Sequence, residues 1–261
     1  MKTHIFRFAV LLLLFCPSAS GQDIRLEDPD KLLSKKEKEV FEKAIKYEMD
    51  FFNRVFSDKV VNFSDMNFTL IPNYMSYILY QSQGGGTVHQ SSGYYSPSKC
   101  ELVICKDEKY KSQFLITAYH ELSHAFLHLH AGNKYIPAWF NEGLAEYLEK
   151  MTFSSREITH RKDTYLLARV KTLIELREIN LPEFVNWDYQ KFASESFSQE
   201  GYGYAISYCM ILLLMQQQDE EQAFAIFRNL IGAKSTIPIF DNCYKGGFAQ
   251  FEKDFIACFS K

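Results

Sequence analysis

The sequence has no hydrophobic run long enough to span a bilayer, no block of basic residues, no internal repeat and no long low-complexity linker. The apolar run at residues 8–15 is far shorter than the roughly 20 residues that a transmembrane helix needs. With 29 basic and 32 acidic residues, the chain carries a net charge of −3. It therefore lacks the basic footprint of proteins that bind nucleic acid or anionic membranes. We expect neither nucleic acid nor a membrane as a partner, and no stable membrane insertion.

Residues 1–21 are typical of a signal peptide. Lys2 and Arg7 give a basic start, residues 8–15 form a short apolar core, and residues 18–21 are small enough for cleavage. Removal of the two basic residues would leave 27 basic against 32 acidic residues, a net charge of −5. The sequence thus predicts an exported protein, either secreted or periplasmic.

Residues 22–261 are predicted to form a single domain, because 47% of the full sequence is apolar and can form a substantial core. Within it we expect an N-terminal helix in residues 22–58 and a sheet region in residues 59–111. Residues 112–261 are expected to be helical and to carry the functional site. A sheet region followed by a helical region indicates an α+β fold.

The periodicity of apolar residues sharpens this prediction. An amphipathic helix is expected at residues 34–56, where Ser34 and Glu37 form a capping box. Alternating or continuous apolar runs predict strands at residues 59–63, 68–71, 87–95 and 101–105. From residue 112 onward the pattern is almost wholly helical, and is interrupted by Gly132, Pro137, Pro182 and Gly201.

The most informative motif is His120-Glu121-Leu122-Ser123-His124. Positions i and i+4 share one face of a helix, so the two imidazoles can bind one ion. Catalytic zinc is commonly held by two histidines and a carboxylate, with water in the fourth position. Glu142, on a second predicted helix, is the expected third ligand, and Glu146 lies one turn beyond it. Glu121 stands beside the ligands, where a carboxylate can take a proton from the water.

A different third ligand is conceivable from the spacing. His130 lies six residues after His124, as in the metzincin pattern, but that pattern needs a glycine to turn the chain back to the metal. The corresponding residue is Leu127, and the first helix stop is Gly132. His128 stays on the ligand face but lies one turn further away. We therefore favour Glu142 as the third ligand.

The segments HELSH and WFNEGLAEYLE resemble the gluzincin clan of zinc metallopeptidases. Further segments are similar to the peptidase-MA-like domains of secreted bacterial proteins. These segments are residues 93–97, 101–105, 181–184, 201–205 and 248–259. The resemblance implies a thermolysin-like catalytic domain, in which a small N-terminal mixed sheet lies over a mainly helical C-terminal half.

The resemblance also implies roles for individual residues. His120, His124 and Glu142 would be the ligands of one Zn²⁺ ion. Glu121 would be the general base that also carries the proton to the leaving amine.

In related enzymes a tyrosine at the start of a downstream helix donates a hydrogen bond to the oxyanion. Tyr202 and Tyr204 both fit that frame. The resemblance further implies that Glu146 hydrogen-bonds the first ligand histidine, with Glu149 as the alternative.

Five cysteines remain if residues 1–21 are removed: Cys100, Cys105, Cys209, Cys243 and Cys258. Cys243 and Cys258 are candidates for a disulfide that would join the C-terminal segments. Cys100 and Cys105 flank an expected strand that would hold them apart. Cys209 lies in an apolar run and is expected in the core.

Residues 81–98 are rich in Gln, Gly and Ser. They are interpreted either as a flexible connection or as an edge strand that pairs with an extended peptide. Their glycines are not followed by the Lys-Ser/Thr pair of a phosphate-binding loop.

These observations favour a secreted zinc-dependent peptidase that acts on a peptide or protein substrate. A non-catalytic exported binding or envelope protein on the same scaffold is the alternative. The sequence does not identify the substrate or the oligomeric state.

Overall fold

A computed structural model describes residues 31–83, 91–107, 113–153, 157–198, 201–217 and 219–260. The predicted signal peptide at residues 1–21 lies outside the described residues. The helices are α1 (Lys35–Val55), α2 (Tyr74–Gln83), α3 (Phe114–Ala131), α4 (Ala138–Leu148), α5 (Thr164–Glu175), α6 (Leu181–Phe184), α7 (Tyr189–Ser198), α8 (Tyr202–Gln217), α9 (Glu220–Leu230), α10 (Ile237–Cys243) and α11 (Gly247–Phe259). The strands are β1 (Asn67–Ile71), β2 (Gly93–Ser96), β3 (Glu101–Cys105), β4 (Met151–Phe153) and β5 (Ile158–His160).

The fold is α+β and mostly helical, as predicted. A mixed sheet has the order β1-β3-β2, in which β1 runs parallel and β2 antiparallel to β3. All five residues of β3 are buried, which explains the apolar run that follows Glu101. β2 is an edge strand, and α3 packs against both β2 and β3.

Helix α1 confirms the predicted amphipathic helix. The Ser34 hydroxyl accepts the Glu37 N–H, and the Glu37 carboxylate accepts the Ser34 N–H in return. The buried face of α1, which includes Phe41, Ile45 and Phe52, packs on α3. Burial of this face against α3 stabilises the packing of the two helices.

Residues 59–63 do not form the predicted strand. Both backbone polar groups of Val61 bond to the Asn53 side chain on α1: the amide donates to the Val61 carbonyl, and the Val61 N–H donates to the amide oxygen. A helix side chain thus takes the hydrogen bonds that a sheet partner would have used. The chain then enters a 3₁₀ turn at Phe63–Asp65.

Two elements were not predicted. Helix α2 begins after Asn73, whose side chain accepts the Ser76 N–H. The β4–β5 hairpin interrupts the region expected to be almost wholly helical, and a hydrogen bond between the Thr152 and Thr159 hydroxyls joins its strands. Both elements are short, so contacts with residues distant in sequence decide their structure more than the local pattern of apolar residues does.

Helix α4 packs chiefly on α8. Gly143 makes this contact close: a Cβ there would lie 2.7 Å from the Ser207 carbonyl oxygen. α8 is buried along most of its length, from Ala205 through Leu214. The central α3–α4–α8 group therefore has little freedom to move without opening the core.

The candidate disulfide between Cys243 and Cys258 does not form in this structure. Each of the two residues is held within its own helix, α10 or α11. Cys209 is fully buried, as expected. None of the described helices is both long enough and apolar enough to cross a membrane.

Candidate metal centre

Two helices bring three potential metal ligands together. His120 and His124 lie one turn apart on α3, with ring centroids 4.8 Å apart and planes inclined by 83°. From α4, the Oε2 atom of Glu142 lies 3.6 Å from Nε2 of His120 and 3.7 Å from Nε2 of His124. One carboxylate oxygen thus faces both imidazoles.

The spacing of these atoms fits a zinc ion. The three ligand atoms all lie within 4.8 Å of one another. Ligand atoms about 2.0–2.1 Å from a tetrahedral ion lie roughly 3.3 Å apart, close to the separations seen between Glu142 and the two histidines. Two imidazoles and one carboxylate are also a donor set that zinc uses in catalytic sites.

Hydrogen bonds behind the rings set their orientation. Nδ1 of His120 lies 2.8 Å from Oε2 of Glu149, and Nδ1 of His124 lies 3.1 Å from Oδ1 of Asn141. Because both partners are acceptors, each Nδ1 carries a proton, which leaves each Nε2 as the ring nitrogen available to a metal. Such partners fix the tautomer that a metal requires.

Glu149, and not Glu146, hydrogen-bonds the first ligand histidine. Glu149 lies two turns beyond Glu142 on the same side of α4, where its carboxylate reaches Nδ1 of His120. The Glu146 carboxylate remains nearby but pairs with Lys150 at 3.6 Å. The expectation for Glu146 is therefore wrong, and the alternative residue takes its place.

The cluster is built to hold positive charge. Burial lowers the pKa of His120, but the Glu142 and Glu149 carboxylates outweigh it and raise that pKa well above its ordinary value. Burial raises the pKa of Glu142, but His124 and His120 hold it below its ordinary value. Burial and the adjacent Glu149 charge raise the pKa of Glu146 to about 7. A divalent cation would meet the same electrostatic demand.

Glu121 lies at the wall of a cavity of about 720 Å³ that also contains the three ligands. Its Oε2 atom accepts the backbone N–H of Tyr95 at 3.0 Å. Tyr95 belongs to the edge strand β2, so this bond joins the sheet to α3, the helix that carries His120 and His124. Glu121 therefore stands between the histidines and the strand, facing the same space.

The two predicted tyrosines are placed differently. Tyr204 lines the cavity, and its ring packs edge-on against Phe192. The Tyr202 hydroxyl donates instead to the Glu178 carbonyl at 2.9 Å, and Tyr202 is not part of the cavity wall. The structure therefore does not bring Tyr202 to the place expected of an oxyanion donor, because its side chain points to the other side of α8.

Tyr189 is a site residue that sequence reasoning missed. Its hydroxyl donates to Oε1 of Glu142 at 3.2 Å and also contacts the Asn141 side-chain amide. Tyr189 is the first residue of α7, 47 positions away from Glu142, and belongs to no recognisable motif. Only the packing of α7 on α4 and α8 brings it to the cavity.

His130 does not line the cavity that holds the three candidate ligands. Its ring packs against Phe52 and Phe56, with centroids 6.4 and 5.3 Å away, and burial lowers its pKa to about 4. His128 lines the cavity, with Nδ1 3.5 Å from the Tyr95 hydroxyl. As expected from the missing glycine, α3 runs unbroken to Ala131 and carries His130 to another face.

Comparisons with known proteins give no family assignment for this chain. No protein-family model matches the chain, and none of the curated proteins compared with it is detectably similar in sequence.

Proposed function

We propose that this chain is an exported zinc-dependent peptidase of the gluzincin type. The observation that carries the proposal is the approach of one Glu142 oxygen to both Nε2 atoms of His120 and His124, with Glu121 at the same cavity. The hydrogen bonds to the two Nδ1 atoms support it, because they leave both Nε2 atoms free to bind a metal.

A bound zinc ion would act as a Lewis acid and lower the pKa of water towards ~7. Glu121 would accept a proton from the attacking water and pass it to the leaving amine. The Tyr95 N–H holds Glu121 through one oxygen, so the carboxylate has a defined orientation for this transfer. The Tyr204 hydroxyl, on the cavity wall, would donate to the oxyanion.

The edge strand offers a place for an extended substrate. The Ser92 carbonyl accepts the Cys105 N–H, so in this antiparallel pair the N–H and C=O of Gly93 and the C=O of Tyr95 face away from β3, while the Tyr95 N–H is already bonded to Glu121. Gly93 and Tyr95 both line the cavity. The Ser91 hydroxyl already contacts the Gly93 carbonyl, a contact that a peptide N–H would replace. Backbone pairing of this kind favours a peptide over other hydrolysable substrates.

The central experiment combines metal analysis with digestion of a peptide library. Protein purified without chelators should contain one zinc ion per chain and should cleave peptides. Glu121→Gln should retain the zinc and lose nearly all turnover. Glu175→Gln, the same change at an exposed position of α5, serves as the matched control.

Three outcomes would contradict parts of this proposal. Absence of stoichiometric zinc would remove the metal site, and full activity of Glu121→Gln would remove the general base. Stoichiometric zinc without cleavage of any peptide would favour the non-catalytic binding protein. N-terminal sequencing of the native protein tests export, because the proposal requires a start near residue 22.

A further inference from the structure

A buried lysine stands behind the candidate metal centre. The Lys150 ammonium lies 3.0 Å from Asp163 Oδ2 and 3.6 Å from Glu146 Oε2, and it also contacts Glu149 Oε1. The Lys150 side chain is only 13% exposed, and those of its three partners are 10–21% exposed. Ion pairs this well shielded from water are screened far less than surface pairs.

Glu149 connects this lysine to a metal ligand. Its Oε1 atom contacts Lys150, and its Oε2 atom accepts from Nδ1 of His120 at 2.8 Å. Each oxygen of the carboxylate therefore has one strong partner. A carboxylate held at both oxygens has little freedom to rotate, so it presents a fixed acceptor to the imidazole.

Lys150 is in turn anchored from its other side. Asp163 caps α5 through Oδ1, which accepts the N–H groups of Tyr165 and Leu166 at 2.9 and 3.0 Å. Its other oxygen pairs with Lys150, and its own N–H donates to the Tyr208 hydroxyl on α8 at 3.0 Å. The lysine is thus fixed between a helix cap and the carboxylates of α4.

The lysine also keeps two neighbouring carboxylates together. Glu146 and Glu149 lie one turn apart at the end of α4, and oxygens of both fall within 4.8 Å of a His120 ring nitrogen. Without a cation between them, their charges would repel each other in a poorly solvated place. The carboxylate that orients His120 would then be free to move away.

We propose that Lys150 is a positioning residue of the metal centre, which acts on His120 through Glu149. The inference rests on the metal-binding part of the proposed function and not on catalysis. It assigns Lys150 a role that its position after the motif helix does not suggest. Asp163 holds Lys150 in place through their ion pair and so supports the same positioning role, one contact further from the metal site.

The experiment measures metal binding and not turnover. Zinc affinity is determined by competition with a chromophoric chelator, and ligand geometry by the visible spectrum of the Co²⁺-loaded protein. Lys150→Met should bind zinc about 10–100-fold more weakly, as expected when support behind a ligand is lost. Lys150→Arg should recover much of the affinity, and Lys253→Met, at an exposed position of α11, should match the wild type.

A double-mutant cycle tests the route through Glu149. Once Glu149→Gln has removed the intermediate charge, adding Lys150→Met should cause little further loss of zinc affinity. Additive losses would overturn the inference, as would a Lys150→Met protein with wild-type affinity and Co²⁺ spectrum. Lys150→Gln, which keeps a polar group for the carboxylates, is measured in parallel in case the methionine variant does not fold.

The proposed function and the proposed role of Lys150 would be overturned by different results. Wild-type protein that binds no metal overturns both of them. Wild-type protein that binds one zinc ion, with Lys150 variants unaffected, overturns only the role of the lysine.

Discussion

The Tyr189 hydroxyl donates a 3.2 Å hydrogen bond to Oε1 of Glu142, while Oε2 of the same carboxylate faces His120 and His124. The two oxygens of Glu142 thus have different partners. One is held by a phenol at the cavity wall, and the other faces the two imidazoles.

Tyr189→Phe should therefore weaken zinc binding by about 10-fold, a typical loss when a partner of a metal ligand is removed. The freed oxygen would also approach the metal and change the Co²⁺ absorption spectrum. Both are measured on purified protein, and Tyr165→Phe, at a 64% exposed position on α5, is the control. An unchanged spectrum and affinity would show that Tyr189 does not position Glu142.

The two tyrosines of α8 should respond in opposite ways to loss of their hydroxyls. Tyr204→Phe should lower kcat by ~10²–10³ with little change in KM, because an oxyanion donor acts in the transition state. Tyr202→Phe should keep its turnover and lose about 1 kcal/mol of stability, the usual value of one hydrogen bond. Steady-state kinetics and urea unfolding of both variants decide this. Equal turnover in the two would contradict the assignment.

Gly143→Ala should damage stability and metal binding together. The added Cβ would meet the Ser207 carbonyl at 2.7 Å and the Ile211 side chain at 2.9 Å. Overpacking of this kind costs about 1–3 kcal/mol. Because Glu142 is the preceding residue, any shift of α4 also moves a ligand. Urea unfolding and zinc titration measure the two effects, and an unchanged zinc affinity would show that the site tolerates movement of α4.

Glu48 gives the fold a pH dependence of its own. Its side chain is buried at 1% exposure, and neither carboxylate oxygen has a hydrogen-bond partner in the part of the chain that the structure describes. Burial raises its pKa well above the ordinary value. The folded chain therefore holds Glu48 protonated at a pH where the unfolded chain ionises it. Its contribution to stability is complete below about pH 4.5 and is lost as the pH rises, by at most about 1.4 kcal/mol per unit.

Glu48→Gln should consequently be more stable relative to the wild type at pH 8 than at pH 4.5. Urea unfolding at the two pH values measures the difference. Glu39→Gln, on the exposed face of the same helix, is the control. A pH-independent difference for Glu48→Gln would show that this carboxyl does not change its protonation on folding.

The convergence of His120, His124 and Glu142 could be predicted from the sequence because it depends on local geometry. His120 and His124 share a helix face by their spacing alone, and the helix stop at Gly132 excludes the route by which His130 would return. Glu142 needed only the expectation that the two motif helices pack together. These are properties of α-helices and do not depend on the remainder of the fold.

The outer part of the site could not be predicted because it depends on tertiary contacts. Glu146 and Glu149 lie one turn apart at the end of α4 and both contact Lys150, so the helix pattern alone does not decide which of them reaches His120. Tyr189 enters from a helix that has no motif. Asp163 reaches Lys150 only because the unpredicted β4–β5 hairpin returns the chain, where the Arg161 N–H donates to the Lys150 carbonyl.

Helix α4 and its C-cap supply or contact all three candidate ligands. Within eleven residues and its C-cap it contributes the ligand Glu142, the amide that holds His124 and the carboxylate that holds His120. A tilt of α4 would displace Glu142 and would break the hydrogen bonds to His120 and His124 at the same time. Loss of the proposed metal should consequently be all-or-none, with no half-coordinated intermediate. In a chelator titration, metal release and the separation of α4 from α8 should therefore show the same midpoint.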